Sequence, residues 1–315
     1  MAVTQVSVEI FQNYIVEKLR RSNPHLAFAS DESGKVLGGA VVHIPQAGAS
    51  PDVKKNRSSF PATAVKRADS FVTYSLDVYT TDPTHIEWAE ENEISYDKMD
   101  SVLNDHTGTL METVGDNMLY NWVNGLDNNG AAVAFPAKNI IRTTGDAIAA
   151  TEAGQTGNRK AFTYKELQKA QAIMDKMNVP KMGRVAMLES YMYQQFLDSL
   201  SANQMAAFSN TADLANGVVG KFAGFTILER STVLMFTSAN KVQVPGTAVG
   251  ATDNIGALCW QKDCVAKALG DIKPFLNSDD ATYYGNVFSA EVKCGGRAKR
   301  AGYEGIVAIV QDTAA

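Results

Sequence analysis

Two stretches of the chain have strand-like patterns, and the second alternates apolar and polar residues as half-buried strands do. Residues 36–44 read VLGGAVVHI and residues 71–79 read FVTYSLDVY, where every second residue from Val72 to Val78 is apolar. The stretch Pro45–Ala62, PQAGASPDVKKNRSSFPA, lies between them and is far longer than the roughly two to five residues of most hairpin loops. The pattern predicts a long two-stranded arm with a polar tip. The basic residues of that tip are Lys54, Lys55 and Arg57.

The longest helical pattern follows an acidic connection after the arm. Ser95 is a suitable N-cap, Asp97 favours the first turn, and Asn124 with Gly125 ends the pattern. About 29 residues at about 1.5 Å each give a rod of about 43 Å, which predicts a structural spine. The apolar stripe of this helix contains Met99, Val102, Leu103, His106, Leu110, Val114 and Met118.

The segment between the spine and about Asn254 alternates between helix and strand signals and predicts a mixed α/β lobe inserted before the C-terminal part. Thr163 and Glu166 form a capping box for a helix that Asn178 and Pro180 end. The stretch ALCWQKDCVAKALG predicts a strand followed by a helix, and VFSAEVKCGGRAKRAGYEGIVAIVQD predicts two strands around a glycine-rich basic turn. The other predicted elements are an N-terminal helix from Ser7 to Arg21, a buried strand GRVAMLE, a helix YMYQQFLDSL and strand segments within GFTILERSTVLMF.

Composition and charge narrow the class of protein. The 315 residues are 45% apolar and 20% charged, which is typical of a globular chain. The formal net charge of −5 argues against a surface that grips nucleic acid by neutralising many phosphates, so we expect only weak local contact with DNA. Apolar runs such as Ile306–Val310 are far shorter than the roughly 20 residues that span a bilayer, so no membrane partner is expected.

No motif in the sequence indicates catalysis, a cofactor or a metal site. GxGxxG, GxSxG and HExxH are all missing, and GVVGKF lacks the spacing of a phosphate loop. Glu90 with Glu91 or Glu93 is better interpreted as a solvated acidic face than as an acid/base pair. The three cysteines, Cys259, Cys264 and Cys294, are interpreted as reduced, buried thiols, and His106 as a packed or hydrogen-bonded residue. We therefore expect a protein that is not an enzyme.

The order of these parts resembles the major capsid proteins of tailed bacteriophages, the Hong Kong 97 lineage. The stretches that carry the resemblance are GGAVVHIPQAG, YTTDPTHIEWAEENEISYDKMDSVLNDH, VPKMGRVAMLE and YYGNVFSAEVKCGGRAKRAGYEGIVAIVQ. The resemblance covers residues 7–312, and it rests on segment patterns without a catalytic fingerprint. It implies an α+β fold of the Hong Kong 97-like capsid type, with an N-terminal arm, an extended β-hairpin loop, a long spine helix, and peripheral and axial domains.

Mapped onto this chain, the resemblance implies four parts. They are an N-terminal arm at 1–35, an extended loop at 36–83, a peripheral domain with the spine helix at 84–130 and 256–315, and an axial domain at 131–255. The implied function is self-assembly into the icosahedral head shell of a double-stranded DNA phage, through arm and loop contacts between subunits. The implied partners are other copies in hexamers and pentamers, with scaffolding, portal and decoration proteins. The implied location is the virion, and the host cytoplasm during assembly.

The arm tip has a natural candidate partner within this picture. An isolated hairpin is only marginally stable in water, so an arm needs a surface to lie on. We expect the basic tip to meet acidic residues of a neighbouring subunit, which would fix the register of the contact. The expected pairs join Lys54, Lys55 and Arg57 to Glu87, Glu90, Glu91 and Glu93.

The sequence also bears on two assembly features of the family, the scaffold and the covalent cross-link. Few residues precede the first predicted helix, so we expect assembly to use a separate scaffold or a segment that was removed earlier. Some relatives form a Lys–Asn cross-link between subunits, but no lysine, asparagine and activating carboxylate could be matched to it, so no cross-link is predicted.

Two alternatives remain open at the level of sequence. An encapsulin-like nanocompartment has the same fold but houses cargo enzymes, and a peroxidase or ferritin-like gene neighbour would favour it. A soluble α/β enzyme, for example a nucleotide-binding one, is disfavoured by the missing motifs, and activity in dilute monomers would favour it.

Overall fold

The computed structural model describes residues 21–35, 41–58, 60–62, 64–87, 98–126, 132–133, 135–213 and 217–314. The predicted N-terminal helix lies outside these residues, apart from its last position, as does the predicted strand segment 36–40. No helix within the described ranges is both long enough and apolar enough to cross a membrane.

Four α-helices occur in the described part of the chain. Three of them match predicted helices, whereas the helix over Ala202–Ser209 was not predicted. The long helix, α1, extends over Lys98–Val123, and its 26 residues correspond to about 39 Å at about 1.5 Å per residue. Thr163 caps α2 in the predicted capping box with Glu166. The other helices are α2 (Tyr164–Lys176), α3 (Ser190–Ser199) and α4 (Ala202–Ser209). Short 3₁₀ helices occupy Pro24–Phe28, Ser33–Lys35, Ala137–Asn139 and Lys262–Cys264.

A six-stranded sheet forms around one long strand. Its strands are β1 (Ser30–Asp31), β4 (Asp77–Thr80), β5 (Thr84–Glu87), β16 (Val265–Leu269), β17 (Lys273–Asp280) and β18 (Gly285–Ala298). The first half of β18 pairs with β5 and β17, its middle pairs with β4, and its last residues pair with β16. β1 adds to the outer edge of β16 in parallel.

A seven-stranded sheet forms the second large layer. It contains β8 (Ile140–Arg142), β11 (Arg184–Glu189), β12 (Val218–Phe222), β13 (Phe225–Arg230), β14 (Leu234–Phe236), β15 (Asn254–Gln261) and β19 (Ile306–Val310). The order is β12-β13-β11-β15-β19-β8, and β14 also pairs with β15. The strands β11, β15 and β19 are buried along their whole length, as expected for a sheet that is covered on both faces.

Three smaller sheets complete the strand pairing. They are β2 (Val41–Gln46) with β3 (Ser70–Ser75), β6 (Gly125–Leu126) with β7 (Ala132–Val133), and β9 (Ala147–Ala149) with β10 (Asn158–Lys160) and β20 (Thr313–Ala314). The pair β2 and β3 is the predicted arm.

Helix α1 contacts both large sheets, which confirms its role as a spine. Leu110 and Val114 pack with alternate residues of β18, from Ala290 to Cys294. Met118 and Trp122 belong to the cluster that covers one face of the seven-stranded sheet. The opposite face of that sheet packs against residues of α2, α3 and α4.

Three predicted elements need correction. The predicted strand 71–79 is divided at Leu76, because β3 pairs with β2 whereas β4 pairs with β18. The helix predicted after Cys264 is a strand, because β16 pairs with β18 over five residues, and this pairing overrides a local pattern that fits both states. Gly295 and Gly296 lie inside β18, so the turn before β19 begins only after Ala298.

Candidate contact surfaces between subunits

The paired part of the arm lies on the body of its own chain. β2 and β3 pair in register from Val41 with Ser75 to Gln46 with Ser70. Gln46 Nε2 donates to the carbonyl of Lys299 at 2.7 Å, just beyond the end of β18. The buried cluster beneath the hairpin consists of Val42, Ile44, Val72, Tyr74, Leu76, Ala266 and Ala268. The strands of the arm therefore already have the surface that an isolated hairpin would lack.

The loop at the end of the arm is longer than the sequence predicts. Pro45 lies inside β2, opposite Phe71, so the loop covers residues 47–69 and not Pro45–Ala62. Proline fits here because, among the described strands, β2 pairs with β3 alone, so one of its edges needs no backbone donor. We call residues 47–69 the arm loop.

The arm loop exposes large apolar side chains as well as its basic residues. Val53 is 95% exposed, Phe60 77% and Val65 87%. The described residues of the loop form no strand or helix, although Arg67 bonds Asp69, which also accepts from the backbone of Gly48. Of the predicted contact residues in the loop, Lys54 and Lys55 are exposed and Arg57 is partly exposed. Exposed apolar groups of this size are typical of surfaces that another protein covers.

Glu87, the predicted acidic partner that the structure describes, lies far from the arm loop along β18. It is exposed at the end of β5, opposite Gly285, the first residue of β18. The hairpin end that carries the arm loop contacts Lys299, which follows the last residue of β18. The 14 residues of β18 span about 46 Å at about 3.3 Å each. Glu90, Glu91 and Glu93 lie outside the described residues.

Residues 21–32, which the sequence pattern did not single out, are held across α1 and both large sheets. Arg230, a buried residue at the end of β13, donates to the carbonyl of Ser22 at 3.2 Å and to Asn23 Oδ1 at 3.1 Å. The same guanidinium pairs with Asp116 on α1. Asn23 Nδ2 donates to the Met111 carbonyl at 2.6 Å. No local sequence signal indicates these contacts, because the partners are 88–208 residues apart.

The cysteines are buried and free, as predicted. Cys259 is 0% exposed, Cys264 5% and Cys294 3%. Burial raises the pKa of all three thiols, to about 12 for Cys294. Within the described ranges, no group of three or more His, Cys, Asp or Glu side chains is arranged to hold a metal ion.

His106 is packed and hydrogen-bonded, which confirms its interpretation. Its Nδ1 lies 2.7 Å from Thr81 Oγ1, and the residue is 8% exposed. A cavity of about 210 Å³ lies beside it, lined by Thr81, Thr84, Val102, Asp105, His106 and Thr109. The cavity has one imidazole and one carboxylate, a set too small to indicate a catalytic centre.

Comparison with known proteins agrees with the fold just described. The profile of the phage capsid protein family matches residues 32–275, more than half of the chain. A search of curated protein sequences found no match.

Solved capsid structures share the fold at low sequence identity. The capsid of Cyanophage Pam1 is similar with a TM-score of 0.69, at 11% identity and over 98% of this chain and 97% of that one. The capsid of Ralstonia phage GP4 has a TM-score of 0.66 at 11% identity, over 99% and 96%. The protein of Mycobacterium phage Che8 has a TM-score of 0.63 at 15% identity, over 98% of both chains. This chain therefore belongs to the phage capsid protein family, and it is a structural, shell-forming major capsid protein with the Hong Kong 97-like fold.

Proposed function

We propose that this protein assembles into the icosahedral head shell of a tailed double-stranded DNA phage through contacts made by its arm loop on a neighbouring copy. One observation carries the proposal. The apolar and basic arm loop starts at one end of β18, and the exposed Glu87 lies at the other end. Two surfaces at opposite ends of a rigid strand are suited to meet between copies of the chain.

The chemistry of the arm loop favours a protein partner. Burial of apolar side chains is favourable by about 25 cal/mol per Å² of apolar area, so Val53, Phe60 and Val65 would be stabilised by a covering surface. The basic residues of the loop would then set the register of the contact against acidic residues. We propose that Lys54, Lys55 and Arg57 meet Glu87, Glu90, Glu91 and Glu93 of the neighbour.

The position of the two surfaces favours a head-to-tail contact. A heterologous interface repeats from copy to copy and closes into rings when the rotation permits. We propose hexameric and pentameric rings that tile a closed shell. Scaffolding, portal and decoration proteins are the further proposed partners, with packaged DNA in weak local contact. The proposed site of assembly is the host cytoplasm.

The division into parts remains a proposal. It places an N-terminal arm at 1–35, an extended loop at 36–83, a peripheral part at 84–130 with 256–315, and an axial part at 131–255. β15 and β19 from the peripheral segment pair with β11 and β8 from the axial segment. A chain cut at 255 would therefore interrupt a continuous sheet.

Charge reversal tests the proposed contact. We expect the double variant Lys54→Glu/Lys55→Glu to reduce the yield of assembled particles at low salt, measured by sedimentation. Adding Glu87→Lys should restore part of the yield, because the pair would again have opposite charges. The matched control is Lys165→Glu/Lys181→Glu, which reverses two exposed lysines, one in α2 and one in the loop that precedes β11. An unchanged yield for the first variant, or an equal loss for the control, would count against the contact.

A further inference from the structure

His25 is a buried histidine on the segment that crosses α1. It lies in the 3₁₀ helix Pro24–Phe28 and is 0% exposed. Its Nε2 is 3.1 Å from the carbonyl of Gly115 in the middle of α1, and its ring meets Trp122 edge-on at 5.8 Å. A carbonyl oxygen only accepts hydrogen bonds, so Nε2 carries the proton and donates it.

The other ring nitrogen, Nδ1, has no acceptor in the described part of the chain to which an N–H group could donate. Nδ1 is buried and has no hydrogen-bond partner among the described residues. A second proton would therefore create a buried N–H without an acceptor, on a ring that has become cationic.

The charged groups around His25 also oppose a cation. Arg230 on β13 and Lys267 on β16 both act on the ring as positive charges. The carboxylate of Asp116 on α1 is engaged by Arg230 and by Arg21. Burial first, and then Arg230, lower the pKa of His25 from 6.5 to about 3.

The segment that carries His25 is fastened on both sides of it. Before it, Arg230 binds Ser22 and Asn23. After it, Trp260 Nε1 donates to the Phe28 carbonyl at 2.8 Å, and the Glu32 amide donates to the Lys267 carbonyl at 2.8 Å. His25 thus lies between two anchored points, in contact with the spine helix.

We propose that residues 21–29 form an acid-released latch, in which His25 holds the N-terminal segment on α1 only while its imidazole is neutral. The latch belongs to the single subunit and does not depend on the proposed arm contact. Its physical basis is the linkage between proton binding by His25 and opening of the segment. A histidine whose folded pKa is lowered stabilises the closed state fully above the unfolded pKa, and that stabilisation is lost as the pH falls below it.

The size of the effect follows from the two pKa values. With 6.5 for the opened state and about 3 for the closed state, lowering the pH from about 7 to about 5 raises the population of the opened latch by about 25-fold. Opening takes up about 0.2 proton at pH 7 and close to one proton at pH 5.

Hydrogen exchange of the unassembled subunit tests the latch. Peptides that cover residues 21–32 should show an opening constant, corrected for intrinsic exchange rates, that rises by about 25-fold between pH 7 and pH 5. Peptides from β11 provide the internal reference for global opening.

Two variants make the test specific. His25→Gln keeps a donor for the Gly115 carbonyl but takes up no proton, so the rise in the opening constant between pH 7 and pH 5 should disappear. His43→Gln, which changes an exposed histidine on the arm, should leave it intact. If wild-type opening is flat with pH, or if β11 peptides change as much as 21–32, the latch is refuted. Because the wild-type result alone decides this, the test survives a failure of His25→Gln to fold.

Discussion

Glu166 shows how single buried polar residues hold the described chain together. Its side chain is fully buried at the first turn of α2. One carboxylate oxygen accepts from the Thr163 amide at 2.8 Å, and the other accepts from the Thr144 hydroxyl at 2.6 Å and the Thr144 amide at 3.2 Å. The carboxylate therefore joins the cap of the helix to the loop that follows β8.

Removal of the Glu166 carboxylate should destabilise the subunit. We expect Glu166→Ala to lower the free energy of unfolding by about 1–2 kcal/mol, because it removes a cap and the acceptor of part-buried donors from Thr144 and Thr163. Urea unfolding of the unassembled subunit measures the change. The neighbouring exposed residue supplies the control, since Lys165→Ala should change stability by less than about 0.5 kcal/mol. Equal effects of the two variants would contradict the role assigned to Glu166.

The thiols give a second residue-scale prediction. Because burial raises their pKa values, we expect Cys259, Cys264 and Cys294 to react negligibly with a disulfide reagent in the native protein at pH 8. All three should react after unfolding in denaturant. Ser58→Cys, placed in the exposed arm loop, should add one fast-reacting thiol. A fast native reaction without that substitution would show that a buried cysteine is accessible.

Contacts between residues that are close in the sequence could be predicted, whereas contacts between residues that are distant in the sequence could not. The capping box joins residues three positions apart, so its pattern is visible in the sequence. His25 and Gly115 are 90 positions apart, and Ser22 and Arg230 are 208 apart. Only the fold brings these residues together.

At the scale of elements, the contact between α1 and β18 depends on a close approach at Gly296. A Cβ atom added there would lie 2.2 Å from Met118 Sδ and 2.7 Å from the carbonyl oxygen of Ala266. The thioether could move, but the backbone oxygen belongs to the paired strand β16. A side chain at this position would therefore separate the spine helix from the sheet or disturb the strand pairing.

Adding one methyl group tests this close approach. We expect Gly296→Ala to cost about 1–3 kcal/mol of stability, as overpacking of a well-packed core does. Gly34→Ala is the matched control, because no atom lies within 4 Å of its added Cβ. Thermal unfolding of both variants measures the difference. If Gly296→Ala were as stable as Gly34→Ala, α1 and β18 would not be packed as described.

The sequence predicted which elements exist better than which strands pair. The predicted spine helix matches α1 over Lys98–Val123, because its long stripe and its end signal are local, whereas its predicted N-cap, Ser95, lies outside the described residues. The switch of pairing partner at Leu76 has no comparable local signal. The pattern of the short run after Cys264 fits a helix or a strand, and its pairing with β18 determines that it is a strand.

At the scale of the whole molecule, the strands of the arm and the loop of the arm have different roles. Its strands pack on their own subunit through the cluster around Tyr74 and Ala266. Its loop exposes apolar side chains that no described part of the same chain covers. We infer that the strands serve the stability of the subunit and that the loop serves assembly.

Replacing the arm loop should separate these roles in experiment. A chain in which residues 47–69 are replaced by Asn-Gly retains the pairing of Gln46 with Ser70 through a two-residue hairpin turn. We expect its unfolding midpoint to stay within a few degrees of wild type, while particles fail to form. Calorimetry and sedimentation measure the two properties. Normal particles from this variant would contradict the assembly role of the loop.

The family could be inferred from the order of segments in the sequence, but the arrangement of the contact surfaces could not. That the arm loop and Glu87 lie at opposite ends of β18 depends on strand registers that are specified only in the folded chain. Register in turn depends on which faces are buried, which a single sequence does not state.

The most direct test of the account is an electron cryomicroscopy map of particles assembled from the purified protein. We expect a closed shell in which residues 47–69 of each subunit lie on the adjacent subunit, with Val53 and Phe60 buried and Lys54 or Lys55 close to Glu87 of that neighbour. A shell in which this loop remains in solvent, or folds back on its own subunit, would contradict the account.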